Sequence, residues 1–518
     1  MSLRGEIVRR PIVLLLAVTL VIGLFVFRDY GFTWDEPLFY KYADALGYAY
    51  TPSNWLSGHF DLNKSYGPSG DDHKNRGPGY LLVAREPVYL LEKLGLDTGS
   101  AWHLINFATF LLGVYFVYRI AERLMHPWAA LAASSLFAFQ PLLWGHAFIN
   151  PKDMPFLVFL TGSIWLGMRM VDQIVDKPSE SSRRTAGRIV VPALFLGLAT
   201  ANRVLGPLAA LLVLTYLLSR HPRIGLLWWM VPYGVLATLV VLLAWPYLWE
   251  GPARFLTAFQ FMSANPTILP VLFADQVYRA YDLPRRYLPF YLLFTLTEFV
   301  WPLFFLGIAA GLRKFRADWR RLTQAGLILA WFVIPVGYVL LRRPPMYDGM
   351  RHFLFILPPV FIIAGFFVDF LLEHIHRRRI TVAVLVVCLL PGFIGIARLH
   401  PYEYTYYNSF IGGTSGAFRH YETDYWLTCY KDAVQDFNQL EHEPVRLYVH
   451  REAEVAQPYA APNVTVLDER GAKSQIGSGD FVLVNTRTNE DRQTFHDAPE
   501  LLSISRGAAT FCVIKSIP

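Results

Sequence analysis

The sequence predicts a mainly α protein: a polytopic transmembrane helical bundle of about eleven spans with a small external C-terminal α/β domain. Three observations lead there. The mean hydropathy is +0.32 over a chain of 518 residues. Charged residues make up 17% of it, against about 25% in ordinary soluble proteins. Apolar runs of membrane length recur through the first 397 residues and then stop, each near the roughly 17–25 residues that cross a hydrocarbon core. Disordered, collagenous and ordinary soluble classes are excluded, and three cysteines are too few for a disulfide scaffold.

The expected spans lie near 11–27, 101–118, 128–148, 154–171, 189–201, 204–219, 226–249, 288–312, 325–341, 352–372 and 380–397. The first follows Arg9–Arg10 without a small-residue cleavage site, which is the pattern of an uncleaved signal anchor. The pair 189–201 and 204–219 decides parity. As one helix, Ile189–Ser219 would run about 46 Å at 1.5 Å per residue, long for a single crossing. Asn202–Arg203 and Gly206–Pro207 interrupt it in the middle. With two crossings, Arg4/Arg9/Arg10, Arg183/Arg184/Arg188, the run Arg313–Arg321 and Arg377–Arg379 share one side, as the positive-inside rule requires. The expected topology therefore has a cytosolic N-terminus and an extracytoplasmic C-terminal domain, in a cell (inner) membrane.

This assignment also explains the pI of about 9.1. Residues 398–518 hold 11 basic and 16 acidic side chains, so the surplus of positive charge lies in the first 397. Its cytosolic loops, which include Arg119, Arg123, Lys177, Arg220 and Arg223, account for that surplus. The basic pI is a topology signal, and nucleic acid drops out as a partner. The chain has no Walker A pattern and no G-x-G-x-x-G, so a nucleotide site has no support.

Two domains are expected. Residues 1–397 form the membrane domain, with a large external loop at 28–100 and a second at 250–287. Residues 398–518 form the external domain. There, strand-like runs at Val445–His450, Asn463–Asp468, Asp480–Thr486 and Leu501–Ile517 (two pieces) accompany a helix near Lys431–Leu440. Cys429 and Cys512 both fall in this domain, and either a disulfide or two thiols fits the sequence.

Ionisable residues gather at the outer membrane surface. Asp35–Glu36 follows the first span, and Lys152–Asp153 sits in the short turn Asn150-Pro-Lys-Asp-Met-Pro-Phe156. Arg203 marks the broken helix pair, and Arg351–His352 opens the tenth span. Charges held this close to hydrocarbon are costly unless paired or used. A carboxylate base among cations suits attack on a lipid-linked phosphate ester. Taken singly, each has a plainer reading: Asp35 as a helix N-cap, Lys152–Asp153 as a neighbouring ion pair, Arg203 as a snorkelling cation, Arg351 as a flanking anchor. Asp71–Asp72–His73 offers metal-ligand residue types, but no second ligand set stands at a recognisable spacing. The need for a divalent metal stays open.

These residues carry a resemblance. Thr33-Trp-Asp-Glu-Pro37, Asn150–Phe156, Gly197–Arg203, Arg351-His-Phe353, and His400-Pro-Tyr with Tyr407-Asn408 and Asp424-Tyr-Trp426 resemble the integral-membrane GT-C glycosyltransferases. The nearest group is the bacterial family 39, protein-mannosyltransferase-like one. The resemblance implies inverting transfer of a sugar from a polyprenyl (dolichyl or undecaprenyl) phosphate donor on the non-cytosolic face. The acceptor would be a glycan, lipid or protein. It implies Asp35 as catalytic base, Asp153 as a second catalytic acid residue, and Lys152, Arg203 and Arg351 as phosphate contacts. Glu36 and His352 complete the candidate substrate contacts, and no metal ligand is assigned. The first loop departs from the family pattern, reading Asp72-His-Lys-Asn-Arg-Gly-Pro78 in place of a plain His-Pro-Pro turn. A lipid-linked donor also fits a site with no cradle for a nucleotide. The competing class is a transporter or flippase for a lipid-linked or anionic substrate, which the broken helix at Arg203 would suit.

Overall fold

The computed structural model describes residues 11–176, 182–220, 224–264, 267–375 and 377–518. The basic residues Arg4, Arg9, Arg10, Lys177 and Arg223 lie outside them. Every expected span is helical. Among the described residues, six helices are long and apolar enough to cross a membrane: Thr98–Ala121, Asp153–Asp176, Leu227–Ala244, Trp319–Arg342, Arg351–His374 and Arg379–Leu399. Ile12–Val26, Pro127–Ala138, Gly187–Asn202 and Pro207–Arg220 are shorter apolar helices. Asp153–Asp176 runs through the centre and is buried over nearly its whole length. Small residues let its neighbours close in on it. A Cβ on Gly113 would meet Val158, and one on Gly167 would meet Val213.

Two expected spans are interrupted. The run 128–148 is two helices, Pro127–Ala138 and Pro141–Ile149, and the run 288–312 is Tyr287–Phe294 and Val300–Phe315. A break inside a membrane domain frees backbone groups that water cannot reach. Here the breaks serve each other: Gln140 Nε2 donates to the Thr295 carbonyl at 3.1 Å and its Oε1 accepts from the Thr297 N–H at 3.3 Å.

The helix pair Ser182–Asn202 and Pro207–Arg220 forms a hairpin, so the chain reverses at Arg203. At its open end, Arg220 reaches Asp176 at 2.9 Å and Arg123 reaches Asp172 at 2.7 Å. Gln324 joins Tyr216 there, and Lys314 pairs with Glu373 at 2.6 Å. Arg203, at the tip, stands at the other end against Asp153. The basic connections therefore share one end of the bundle, and the candidate residues share the other.

The C-terminal part carries a five-stranded mixed sheet. With the hairpin strands β1 (Pro270–Phe273) and β2 (Gln276–Arg279) numbered first, it comprises β3 (Val445–Val449), β4 (Val464–Asp468), β5 (Phe481–Asn485), β6 (Glu500–Arg506) and β7 (Ala509–Ser516). Their spatial order is β4-β3-β5-β7-β6, parallel at β3/β4 and β3/β5 and antiparallel at β5/β7 and β6/β7. The helix Tyr430–Leu440 buries Ala433, Val434 and Phe437 against it. A disulfide joins Cys429, just before that helix, to Cys512 on β7. The strands β3, β4, β5 and β7 fall inside the runs read from sequence, and β6 starts one residue earlier, at Glu500. The β1–β2 hairpin was not foreseen.

Candidate functional site

Four loops converge at the end of the bundle nearest the sheet. Asp35 precedes the helix Glu36–Leu46, where Pro37 sets the first turn. Its carboxylate makes no capping hydrogen bond. Instead Oδ2 faces Arg351 Nη1 at 3.1 Å, and the side chain stays 25% exposed. The N-cap position is real, but the carboxylate is turned toward the cluster.

The turn before Asp153–Asp176 is built by Asn150. Its Oδ1 accepts from the backbone N–H of Asp153 at 2.8 Å and of Lys152 at 3.2 Å. That cap fixes Asp153 at the first helical turn, where the helix dipole favours an anion. Asp153 is 2% exposed. Arg203 abuts its Oδ1, and Arg351 Nη1 lies 3.4 Å from its Oδ2. Enclosed by two guanidinium groups, this carboxylate holds Arg203 and Arg351 and has no open face for proton transfer. That geometry suits a holding role for Asp153, the second acidic residue expected at the catalytic site.

Lys152 has the opposite character. It is 4% exposed, and among the described residues its Nζ has no hydrogen-bond partner. It lies 5.0 Å from the centre of the Phe39 ring. Its backbone carbonyl accepts from Asn202 Nδ2 at 3.0 Å, which ties the turn to the hairpin tip that carries Arg203. Keeping such a buried amine charged is expensive, and an anion beside it would offset that cost.

Arg351 opens the turn Arg351–Ile356, which leads into Leu357–His374. Its Nε and Nη2 both reach Asp348 Oδ2, at 3.0 and 2.9 Å. Trp426 and Tyr347 lie against the guanidinium at 4.9 and 5.1 Å. His352 packs edge-on to Tyr347 and has Arg351, Arg203, Arg76 and Lys152 as charged neighbours.

Glu36 is placed elsewhere. It is fully buried, with Oε2 accepting from the Thr33 N–H at 2.6 Å and Oε1 taken by the Tyr40 hydroxyl and by His103 at 2.9 Å. Both oxygens are committed to pinning the first loop onto Thr98–Ala121. The expected substrate contact at Glu36 is therefore corrected to a latch. Asp424 is likewise structural, accepting from the Tyr404 hydroxyl and from the N–H groups of Thr428 and Cys429.

Arg76 was missed. It lies in the first loop, in the turn that departs from the family pattern, and pairs with Asp72 at 2.7 Å. The chain reaches the cluster here because Gly77 lacks a side chain: a Cβ would sit 2.0 Å from the Ala201 carbonyl oxygen. Arg-Gly-Pro-Gly thus lies on the turn before Arg203. Beside it His73 stacks on Phe39 and Tyr42, and burial, with Lys152 nearby, pushes its pKa down to about 4.

A cavity of about 670 Å³ opens over this cluster, lined by Trp34, Asp35, Phe39, Arg76 and Arg351, with Arg451 from the sheet domain at its rim. Among the described residues no group of three or more His, Cys, Asp or Glu is placed to hold a metal. The cluster can thus offer a partly exposed carboxylate, a buried lysine and a set of held guanidinium groups to an anionic ester.

Comparison with known proteins adds a fold likeness and a partial family match. A family model described as dolichyl-phosphate-mannose-protein mannosyltransferase matches residues 89–249, a stretch that includes Lys152, Asp153 and Arg203. Among solved structures, ArnT from Cupriavidus metallidurans, bound to undecaprenyl phosphate, has 14% identity and a TM-score of 0.50, covering 99% of this chain and 98% of that one. The Archaeoglobus fulgidus oligosaccharyltransferase, in complex with Zn and sulfate, has 12% identity and a TM-score of 0.42, covering 88% and 62%. No curated protein sequence matches significantly. The chain has an ArnT-like fold, and its residues 89–249 are similar to that mannosyltransferase family.

Proposed function

We propose that this protein is a membrane glycosyltransferase that moves a sugar, with inversion, from a polyprenyl phosphate to an acceptor hydroxyl on the non-cytosolic face. The observation that carries the reading is the buried Lys152, without a hydrogen-bond partner among the described residues, in the cluster that also holds the partly exposed Asp35. The family match supports glycosyl transfer, and the undecaprenyl phosphate bound by ArnT supports the lipid class of donor.

In this reading the donor phosphodiester carries a single negative charge and takes the place beside Lys152, with Arg76 and Arg203 flanking. Asp35 accepts the proton of the acceptor hydroxyl as its oxygen attacks the anomeric carbon. The carbon–oxygen bond to phosphate breaks, and its electron pair leaves with the polyprenyl phosphate. The leaving group is a stabilised anion, so no strong general acid is required. The cations act where charge grows, and Asp153 and Asp348 keep Arg203 and Arg351 from collapsing onto it.

The orientation is part of the proposal. A disulfide in the sheet domain suits an oxidising compartment, and the basic connections at the opposite end suit the cytosol. The break at Arg203 no longer favours a transporter. Its polar groups are consumed by Lys152 and Asp153 at the end of the bundle, not at a midplane site. The test is incubation of the purified protein in detergent with a labelled polyprenyl-phosphate sugar and candidate acceptors. Labelled product without a sealed compartment is expected. Substrate movement in vesicles with no product would overturn the reading in favour of transport.

A further inference from the structure

The sheet domain sends one charged side chain into the wall behind the site. Arg487, two residues past β5, is fully buried. Its Nη2 donates to Asp348 Oδ1 at 2.8 Å and its Nε to Glu422 Oε1 at 3.0 Å. Its guanidinium lies 4.5 Å from the centre of the Trp34 ring, the residue just before Asp35. Trp34 is itself fixed by its N–H, which donates to the Trp426 carbonyl at 3.2 Å.

The two oxygens of Asp348 divide between two guanidinium groups. Oδ1 serves Arg487, and Oδ2 serves the Nε and Nη2 edge of Arg351. That division leaves Arg351 Nη1 directed at Asp35 and Asp153. The chain Glu422–Arg487–Asp348–Arg351–Asp35 is continuous, and Trp34 links Arg487 directly to Asp35. Burial pushes the Asp348 carboxyl upward, while Arg487 and Arg351 pull it the other way. Removing Arg487 would leave Asp348 and Glu422 facing each other across a buried gap, a costly arrangement. Asp348 could relieve it only by turning and taking Arg351 with it.

We infer that Arg487 is a positioning residue: from the sheet domain it sets the aim of Arg351 and the seat of Asp35 through Asp348 and Trp34. The inference rests on the transferase reading above. It gives the sheet domain a part in turnover distinct from contact with any substrate, since Arg487 has no exposure to the cavity. A site misplaced by about 1 Å loses on the order of a hundredfold in rate, which sets the scale expected here.

The test compares Arg487→Met, Arg487→Lys and the surface control Arg446→Met, whose partner Asp480 lies away from the cluster. Each is assayed with a labelled polyprenyl-phosphate sugar, and each is checked for monodispersity and an intact disulfide. R487M is expected to lose about ten- to a hundredfold in kcat with donor KM within about threefold, R487K to recover part of the loss, and R446M to match the wild type. If R487M does not accumulate, Asp348→Asn cuts the same chain from the other side and is expected to show the same split. A folded R487M or D348N with wild-type kcat overturns the inference, as does a loss that R446M shares or one carried by KM. Turnover by the wild type beside an unaffected R487M rejects this inference alone. A wild type without turnover rejects the transferase reading and this inference with it.

Discussion

Arg351 Nη1 stands 3.1 Å from Asp35 Oδ2 and 3.4 Å from Asp153 Oδ2, so one guanidinium joins the first external loop to the Lys-Asp turn. The two carboxylates differ in all else: Asp153 is 2% exposed and Asp35 25%. Burial sorts them into a holding anion and a working one.

Lys152 separates stability from function. A buried ammonium without a hydrogen-bond partner costs folding energy, so Lys152→Met should fold with a melting temperature equal to or above that of the wild type. Its donor KM should rise at least about tenfold, the effect of losing about 1.4 kcal/mol of charge-assisted binding. Thermal unfolding in detergent and donor titration measure the two halves. A destabilised variant with normal KM would give Lys152 a structural role.

Glu36 should behave in the reverse way to its neighbour. Glu36→Gln weakens bonds from Thr33, Tyr40 and His103, and disturbing a buried hydrogen-bonded carboxylate costs about 1–3 kcal/mol. A lower melting temperature is expected, with donor KM nearly unchanged in the protein that remains folded.

His73 makes stability depend on pH. Burial and the neighbouring Lys152 lower its pKa to about 4 from the ordinary histidine value of 6.5. Between these values the unfolded chain binds the proton more readily than the folded one, so stability falls as pH drops through that window and levels off below it. The full difference corresponds to about 3 kcal/mol. Melting temperatures across pH 7 to 4 should fall less steeply in His73→Phe, which keeps the stack on Phe39 and Tyr42.

Gly77→Ala tests the seat of Arg76. The added Cβ would lie 2.0 Å from the Ala201 carbonyl oxygen, so the Arg76 turn must lift off the hairpin tip. Transfer should fall about tenfold or more, on the general scale of small misplacements. Arg76→Ala should fall similarly, and the double variant should show less than the sum.

Much of this was legible in sequence because it depends on periodicity and charge. The spans, the hairpin at Asn202–Arg203, the strand runs of the tail and the convergence of Asp35, Lys152, Arg203 and Arg351 all follow from local patterns. What escaped depends on tertiary partners. Gln140 and Thr297 mark the broken helices, yet an apolar run with one Gln gives no sign that two breaks will meet. Glu36 and Asp35 are adjacent, and only the entry of the helix decides which faces the cavity and which faces His103. Arg76 had a signal in the departing Arg-Gly-Pro turn. Arg487 had none, being one arginine in a polar tail.

The central claim is that Asp35 takes the acceptor's proton in transfer from a polyprenyl-phosphate sugar. Its most direct test is the transfer rate of Asp35→Asn, measured beside its donor binding. The account predicts a loss of about a thousandfold, within the range for a general base, with donor affinity retained. Asp35→Asn protein that binds donor and transfers at the wild-type rate would contradict it.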